Sequence, residues 1–318
     1  MDRDENRDLE DTAYQVQVDP GVAWYFELEP RIRARVEAAG RSHPGKVRPN
    51  NEDNFLAVRR YRGREILATS LPLDLLQTTD DHAYVFAVAD GMGGRKFGEI
   101  ASLLTMRTGF ELGGSEIKWS MKMNEREATE LRQKAETFFG LINEALRAEI
   151  RESPALAGMG TTLTVAYSTG PELFVIHAGD SRAYLYRDGV VKRLTRDHNL
   201  SQVLVDAGVA EPGSPEAQRV RHVLTSFLGG PDESLTIDVY HERLADCDRL
   251  LLCTDGLSDM VDDAEIARVL ASYPASDTAC QTLIERALDH GGADNVTVLV
   301  AGYHFDDQQP RRTGRHDD

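Results

Sequence analysis

Basic charge, cysteine and long apolar runs are all scarce in these 318 residues. Lysine and arginine number 36 against 53 aspartates and glutamates, a net charge of −17. Such a chain lacks the basic face that a nucleic-acid backbone requires, so nucleic acid is not an expected partner. No apolar run reaches the roughly 20 residues that a membrane helix needs, so no membrane span is expected. The start, MDRDENRDLEDT, is acidic and polar, unlike a secretory signal. The three cysteines, Cys247, Cys253 and Cys280, are odd in number and lack metal-ligand spacing. Cys253 reads as a small buried hydrophobe, and the reducing cytoplasm is the expected compartment.

Several common active-site signatures are missing too. The glycines at 91–94 are not followed by Lys-Ser/Thr, which excludes a P-loop, and they do not form G-x-G-x-x-G. Ser181 lies in GDS rather than G-x-S-x-G. The acids are too scattered for an EF-hand loop.

What is present is a repeated pairing of apolar strand and acid. The run AYVFAVADGMGG at 83–94 stops at Asp90 and turns through glycines. LFVIHAGDS at 173–181 runs into Asp180, and RLLLCTDG at 249–256 runs into Asp255. GGADNVTVLV at 291–300 opens a strand just after Asp294. A single Asp-Gly could be a hairpin turn. Repetition at strand ends places charged oxygens along the rim of a sheet, beside exposed backbone.

Between these runs the period changes. Residues 97–112 and 125–152 read as helices, the second with an apolar stripe at three-to-four spacing that serves packing. A short helix is expected at 199–207, a Pro/Gly-rich loop at 208–220, and helices at 265–273 and 276–290. Asp262 to Glu265 has capping-box spacing ahead of the first of that pair. About ten strands fall in consecutive groups with four to five helices between them. This is an α+β pattern of antiparallel sheets with helices packed outside. Residues 33–303 are expected to be one domain, because acids from Glu52 to Asp294 share one site only if it is. Residues 1–32 read as a partly disordered extension whose aromatic run VAWYFEL docks on the domain. Residues 304–318 read as a disordered tail, and 59–82 as a long loop that shapes substrate choice.

The strand-end acids, with Glu52, Asp53 and Asp259, make an all-oxygen donor set without histidine or cysteine. That set suits Mg²⁺ or Mn²⁺ rather than zinc. Without cations such carboxylates repel one another and several stay protonated. A two-metal site activates water for phosphoryl transfer, and Arg48, four residues before Glu52, is suited to bind two phosphate oxygens. His43, His177, His198 and His222 have no ligand spacing and read as structural or solvated.

The ordered segments RPNNEDNF (48–55), VADGMGG (88–94), GEIAS (98–102), GMGTTL (158–163), GDSRAYLYRDG (179–189), DHNL (197–200), LLCTDGLSDMV (251–261) and GGADNVTV (291–298) resemble the motifs of the metal-dependent protein phosphatases. These are the type 2C Ser/Thr phosphatases, and the bacterial branch is the nearest match. The resemblance implies a four-layer α-β-β-α sandwich with two central antiparallel sheets and two Mn²⁺ or Mg²⁺ ions, with a third possible. Asp90 would bridge both ions with the Gly91 carbonyl beside it, and Asp255 and Asp294 would hold one. Glu52 and Asp53 match the acids around the other, and Asp180 with Asp259 the third-metal position. Arg48 matches the phosphate-binding arginine, and the 208–220 stretch the flap over the site. Met92 stands where the animal enzymes have a proton-donating histidine, which leaves the donor unassigned. The implied activity is hydrolysis of phosphoserine and phosphothreonine in proteins by a metal-bridged hydroxide. The implied chain is a monomer whose counterpart is a Ser/Thr protein kinase. The alternative from another class is a catalytically inactive module that binds phosphoproteins.

Overall fold

Alternation along each strand sorts the apolar side chains into separate layers. In β10 (Arg249–Cys253), Leu251 and Cys253 face one way, and Leu250 and Leu252 the other. In β11 (Val296–Phe305), Val296, Val298 and Val300 share a layer with Leu251, while Leu299, Ala301 and Tyr303 join Leu250. Strands that carry apolar residues on both faces must be covered on both. That requirement builds the layers of the sandwich.

The computed structural model describes residues 34–62, 81–93, 97–115, 125–230 and 235–305. The chain divides into two units, one of residues 1–31 with 61–81 and one of residues 32–60 with 82–318. The architecture below is that of the second. The expected extension at 1–32 and most of the expected loop at 59–82 fall outside the described residues, and residues 59–62 and 81–82 of that loop are strand, in β2 (Asp53–Arg62) and β3 (Asp81–Met92).

One sheet has the order β1 (Ala34–His43), β11, β10, β7 (Arg182–Arg187), β8 (Val190–Arg193), antiparallel throughout. The other runs β2 (Asp53–Arg62), β3 (Asp81–Met92), β5 (Leu163–Thr169), β6 (Glu172–Ala178), β9 (Asp238–Arg243), and the two-residue β4 (Gly160–Thr161) joins β3. Phe86, Val88, Ala166, Leu173 and Val175 from this second sheet meet Leu185, Leu250, Leu252, Leu299 and Tyr303 from the first. That contact is the central layer of the core.

Helices cover both outer faces. α1 (Phe97–Ser115) and α2 (Glu125–Glu152) pack on the second sheet, where Phe139, Ile142 and Leu146 are fully buried beside Ala87 and Ile176. Each such side chain contributes about 1.5–3 kcal/mol by leaving water. α6 (Asp263–Ser272) and α7 (Ser276–Asp289) cover the first sheet through Ile266, Leu270, Leu283 and Ile284. Asp262 caps α6 by accepting from Glu265 N at 2.7 Å, as the capping-box spacing requires. The layers are therefore α-β-β-α.

Some local expectations change. β1 and β11 are longer than their apolar runs suggest, because they pair over their full length, from Ala34 with Phe305 to His43 with Val296. Residues 304 and 305 are thus strand, not tail, and residues 306–318 lie outside the described residues. The described residues hold eleven strands rather than ten and seven α-helices rather than four or five. α3 (Leu200–Asp206) lies where a short helix was expected. The 208–220 loop carries a short helix, α4 (Pro215–Arg219). Ser214 caps it and Pro215 occupies its first turn. α5 (Asp255–Ser258) is a single turn that begins directly after β10.

Candidate active site

Glycine contacts seat the first acids. A Cβ on Gly91 would lie against the Gly98 carbonyl and 2.7 Å from the Glu52 carbonyl. A Cβ on Gly98 would strike the Glu52 carboxylate itself. The absence of both Cβ atoms brings the Glu52 loop, the end of β3 and the start of α1 together. Gly91 N donates to Glu52 O at 3.1 Å. Asp90 is held by a threonine pair. Its amide donates to Thr162 Oγ1 at 2.9 Å, and its carbonyl accepts from Thr161 Oγ1 at 2.8 Å and Thr162 N at 2.9 Å. Thr162 is in turn hydrogen-bonded to Ser181, next to Asp180, at 2.7 Å.

The second group joins the start of β2 to the other sheet. Asp53, only 5% exposed, accepts at Oδ2 from Thr254 Oγ1 at 2.8 Å and Thr297 Oγ1 at 2.7 Å. Thr254 precedes Asp255, and Thr297 lies just inside β11 after Asp294. Asn295 ties this group to the Glu52 loop. Its Nδ2 donates to the carbonyls of Pro44 at 2.9 Å and Asn50 at 2.8 Å, and its Oδ1 accepts from Glu52 N at 2.8 Å. None of Asn295, Thr162, Thr254 and Thr297 was read as a site residue from the sequence, and Ser181 was weighed only as a nucleophile. Asn295, Thr254 and Ser181 each adjoin a strand-end acid, whereas Thr162 and Thr297 carry no such signal.

Arg48 donates through Nη2 to Asp294 Oδ2 at 2.7 Å, so its guanidinium sits at the acids. Arg182 turns away from Asp180 and pairs with Asp197 at 3.0 and 2.7 Å. Asp180 and Asp259 line a cleft of about 470 Å³ with Asp255, Arg221, His222 and Gln218. Arg221 holds Asp259 at 3.0 Å. His222, read from the sequence as structural or solvated, is exposed, yet its ring lies with Asp255 and Asp259 so that one ligand atom from each falls within 4.8 Å of the others. Loop geometry makes that neighbourhood, and no sequence spacing encodes it. The other histidines are structural. His177 is buried on Thr164 at 2.8 Å, His198 bonds Asp238 at 3.1 Å, and His43 accepts from Gly45 N at 2.9 Å.

Burial and mutual repulsion act on these carboxylates in the same direction. Burial pushes Asp53 up to about 7 against the pull of its two threonine hydroxyls. Burial, then the charge of Asp259, pushes Asp255 up to about 7. Asp90 rises well above the usual range through burial and the charges of Asp53, Asp255, Asp180 and Asp294. Asp180 rises likewise, through burial and then Asp255 and Asp197. Asp53 Oδ1 and Asp255 Oδ1 are buried with no hydrogen-bond partner. Orphaned anionic oxygens converging from several strand ends fit hard divalent cations, which remove both the repulsion and the orphaned state.

A family model described as protein phosphatase 2C matches residues 62–290. The serine/threonine protein phosphatase PstP of Mycobacterium tuberculosis is 35% identical over 287 residues, which is 89% of this chain and 49% of that protein. The chain thus spans about half the length of that relative. The serine/threonine phosphatase stp of Listeria innocua is 28% identical over 265 residues, covering 83% of this chain and 95% of that one. The structure of the PstP catalytic domain in complex with two manganese ions matches with a TM-score of 0.65 and 34% identity, covering 86% of this chain and 100% of that one. The chain belongs to the protein phosphatase 2C family. The matched span omits Arg48, Glu52, Asp53 and Asp294, and the fold returns all of these to Asp90 and Asp255. No helix among the described residues is long and apolar enough to cross a membrane.

Proposed function

We propose that the chain is a metal-dependent protein phosphatase acting on phosphoserine and phosphothreonine, with Mn²⁺ or Mg²⁺ held at the acid cluster. The observation that carries this reading is the set of buried, uncompensated carboxylates with orphaned oxygens on Asp53 and Asp255. The family and the two manganese ions in the PstP catalytic domain support it.

Asp90, the Gly91 carbonyl, Asp255 and Asp294 hold the ions, with Glu52 and Asp53 beside them and Asp180 and Asp259 toward the cleft. Two such cations lower the pKa of water and steady the attacking and leaving oxygens of an in-line displacement. The chain's own groups do the positioning. Thr161 and Thr162 fix the Asp90 backbone, and Asn295 locks the Glu52 loop against the start of β11. Arg48 is paired with Asp294. Its guanidinium is placed at the acids, where it would take two oxygens of the phosphate dianion. The exposed cleft beside Arg221 receives the chain that carries the phosphate.

The proposed setting is the cytoplasm, as a monomer opposed by a Ser/Thr kinase. Free Cys247, Cys253 and Cys280 suit a reducing compartment. The test is phosphate release from a phosphothreonine peptide, with and without Mn²⁺, for the wild type and Asp255→Asn. Metal-dependent turnover that collapses in the variant supports the reading. No turnover with either metal would turn it into the inactive phosphoprotein-binding module.

A further inference from the structure

At the far end of β11 from the acids, a second group of metal-ligand side chains converges. β11 starts beside Asp294 and runs ten residues to Phe305, about 3.3 Å per residue. At that end Asp246, Cys247 and His304 each present one ligand atom, all within 4.8 Å of one another. Cys247 Sγ lies 3.4 Å from Asp246 Oδ2, and His304 Nδ1 lies 3.7 Å from Asp246 Oδ1. A tetrahedral zinc ion with bonds of about 2.0–2.3 Å sets its ligand atoms about 3.3–3.8 Å apart. Each separation falls in that range, the thiol to Oδ2 and the imidazole to Oδ1, so small side-chain rotations bring all three groups onto one ion.

We propose that Asp246, Cys247 and His304 form a surface site for a thiophilic divalent cation of the zinc class, separate from the carboxylate centre. The donor chemistry distinguishes the two. The acid cluster offers hard oxygens for Mg²⁺ or Mn²⁺, whereas this site offers sulfur, imidazole and one carboxylate, with a fourth position open to water. The backbone presets the geometry. Cys247 N donates to Tyr303 O at 2.9 Å and Tyr303 N to Asp248 O at 2.9 Å, so the turn carrying Cys247 is stitched to the strand carrying His304. Asp246 is oriented by Phe305 N, which donates to its Oδ1 at 3.0 Å. Asp248 fixes the turn from beneath through Arg187 at 2.8 and 2.6 Å. Cys247 itself has φ +65°, a backbone state more usual for glycine or asparagine.

The local field also favours a cation. The Cys247 thiol donates to Asp246 Oδ2, and a bound cation takes the place of that proton between the same two side chains. The sequence shows no ligand spacing because the ligands meet across a strand pair: two are adjacent in a turn and the third lies on β11. A filled site would pin the turn before β10 to the last residues of β11.

Cobalt reports on this site without reference to catalysis. The full chain, reduced with a phosphine, is titrated with Co²⁺ and followed by near-ultraviolet thiolate-to-cobalt charge transfer. The expected band saturates at one equivalent, vanishes in Cys247→Ser, weakens in His304→Ala and persists in Asp255→Asn. One equivalent of Zn²⁺ then removes the band and slows labelling of Cys247 by a disulfide reagent about tenfold or more. Absence of the band in the wild type overturns the site. So does a band that survives Cys247→Ser, or a labelling rate that Zn²⁺ leaves unchanged. All three side chains are exposed, so the variants keep the fold.

Discussion

Two sets of buried aspartates in this molecule have opposite fates. Asp248 is fully buried, yet every oxygen is used: Oδ1 accepts from Arg187 Nε, and Oδ2 from Arg187 Nη2 and Ala245 N. Asp197, 8% exposed, is matched in the same way by the two-pronged guanidinium of Arg182. Asp53 and Asp180 are buried and Asp90 and Asp255 half-buried beside them, and loss of water around the carboxylates drives all four upward. A buried carboxylate with an arginine fork is part of the frame. A buried carboxylate whose neighbours are carboxylates is incomplete, and the missing charge is that of a cation. Arginine is not absent from the site. Arg48 and Arg221 reach only its rim, at Asp294 and Asp259.

The sharpest way to break this contrast is to neutralise one member of each set. Asp255→Asn should lower metal-dependent phosphate release by about 10³-fold or more, because a ligand that organises the reacting oxygens is lost. The same change removes a repelling charge, so the metal-free protein should unfold at an unchanged or higher urea concentration. Next in size is Asn295→Ala, which removes a side chain that meets the cluster only through the Glu52 backbone and leaves the bond from Asn295 N to Asp294 in place. It should weaken Mn²⁺ affinity about 10–100-fold, the usual cost of removing a group that orients ligands. Competition with a fluorescent chelator measures it. An Asn295→Ala protein with wild-type affinity would show that the loop holds its place without this zipper. Asp248→Asn reverses the pattern. It should leave turnover per folded molecule intact and cost about 2 kcal/mol of stability, since Arg187 is left half-matched. Equal urea midpoints for Asp248→Asn and Asp255→Asn would erase the distinction between frame and site.

What the sequence could and could not reveal follows from the same contrast. Asp90, Asp180, Asp255 and Asp294 were legible because each stands at the end or the start of an apolar strand, and strand ends on one rim meet in space. The layers were legible because the runs Leu250–Cys253 and Val298–Ala301 are apolar on both faces, which only a doubly covered sheet tolerates. The threonine ladder on Asp53 was not. Thr254 and Thr297 meet it through the register of β10 with β11, where Cys253 pairs with Val298. That register depends on pairings far apart in the chain. Asn295 was not legible either, because its side chain acts at Pro44 and Asn50, some 250 residues earlier in the chain. The helix in the 208–220 stretch was missed despite a serine cap and a proline start, because glycine and proline dominate the composition around it. His222 reached the site through a loop whose path no local pattern dictates.

The smallest expected effect is the most direct reading of the missing charge. Asp53 and Asp255 shift from about 3.8 in the unfolded chain to about 7 when folded. Their folded forms bind protons more tightly, so their contribution to stability is complete below 3.8 and lost as pH rises through about 7. Cations compete with those protons and replace the lost compensation. The gap in Tm between Mg²⁺-saturated and chelator-treated protein should therefore widen, by a few degrees, as pH climbs across that window. Other titrating groups, such as Asp238 and Asp277, affect both samples and cancel in the difference. Asp255→Asn should flatten the curve, and Asp248→Asn should lower both samples without changing its slope. A gap that is constant with pH would mean that protons and cations do not compete for these oxygens, and the two sets of aspartates would then differ in their hydrogen-bond partners and not in a missing charge.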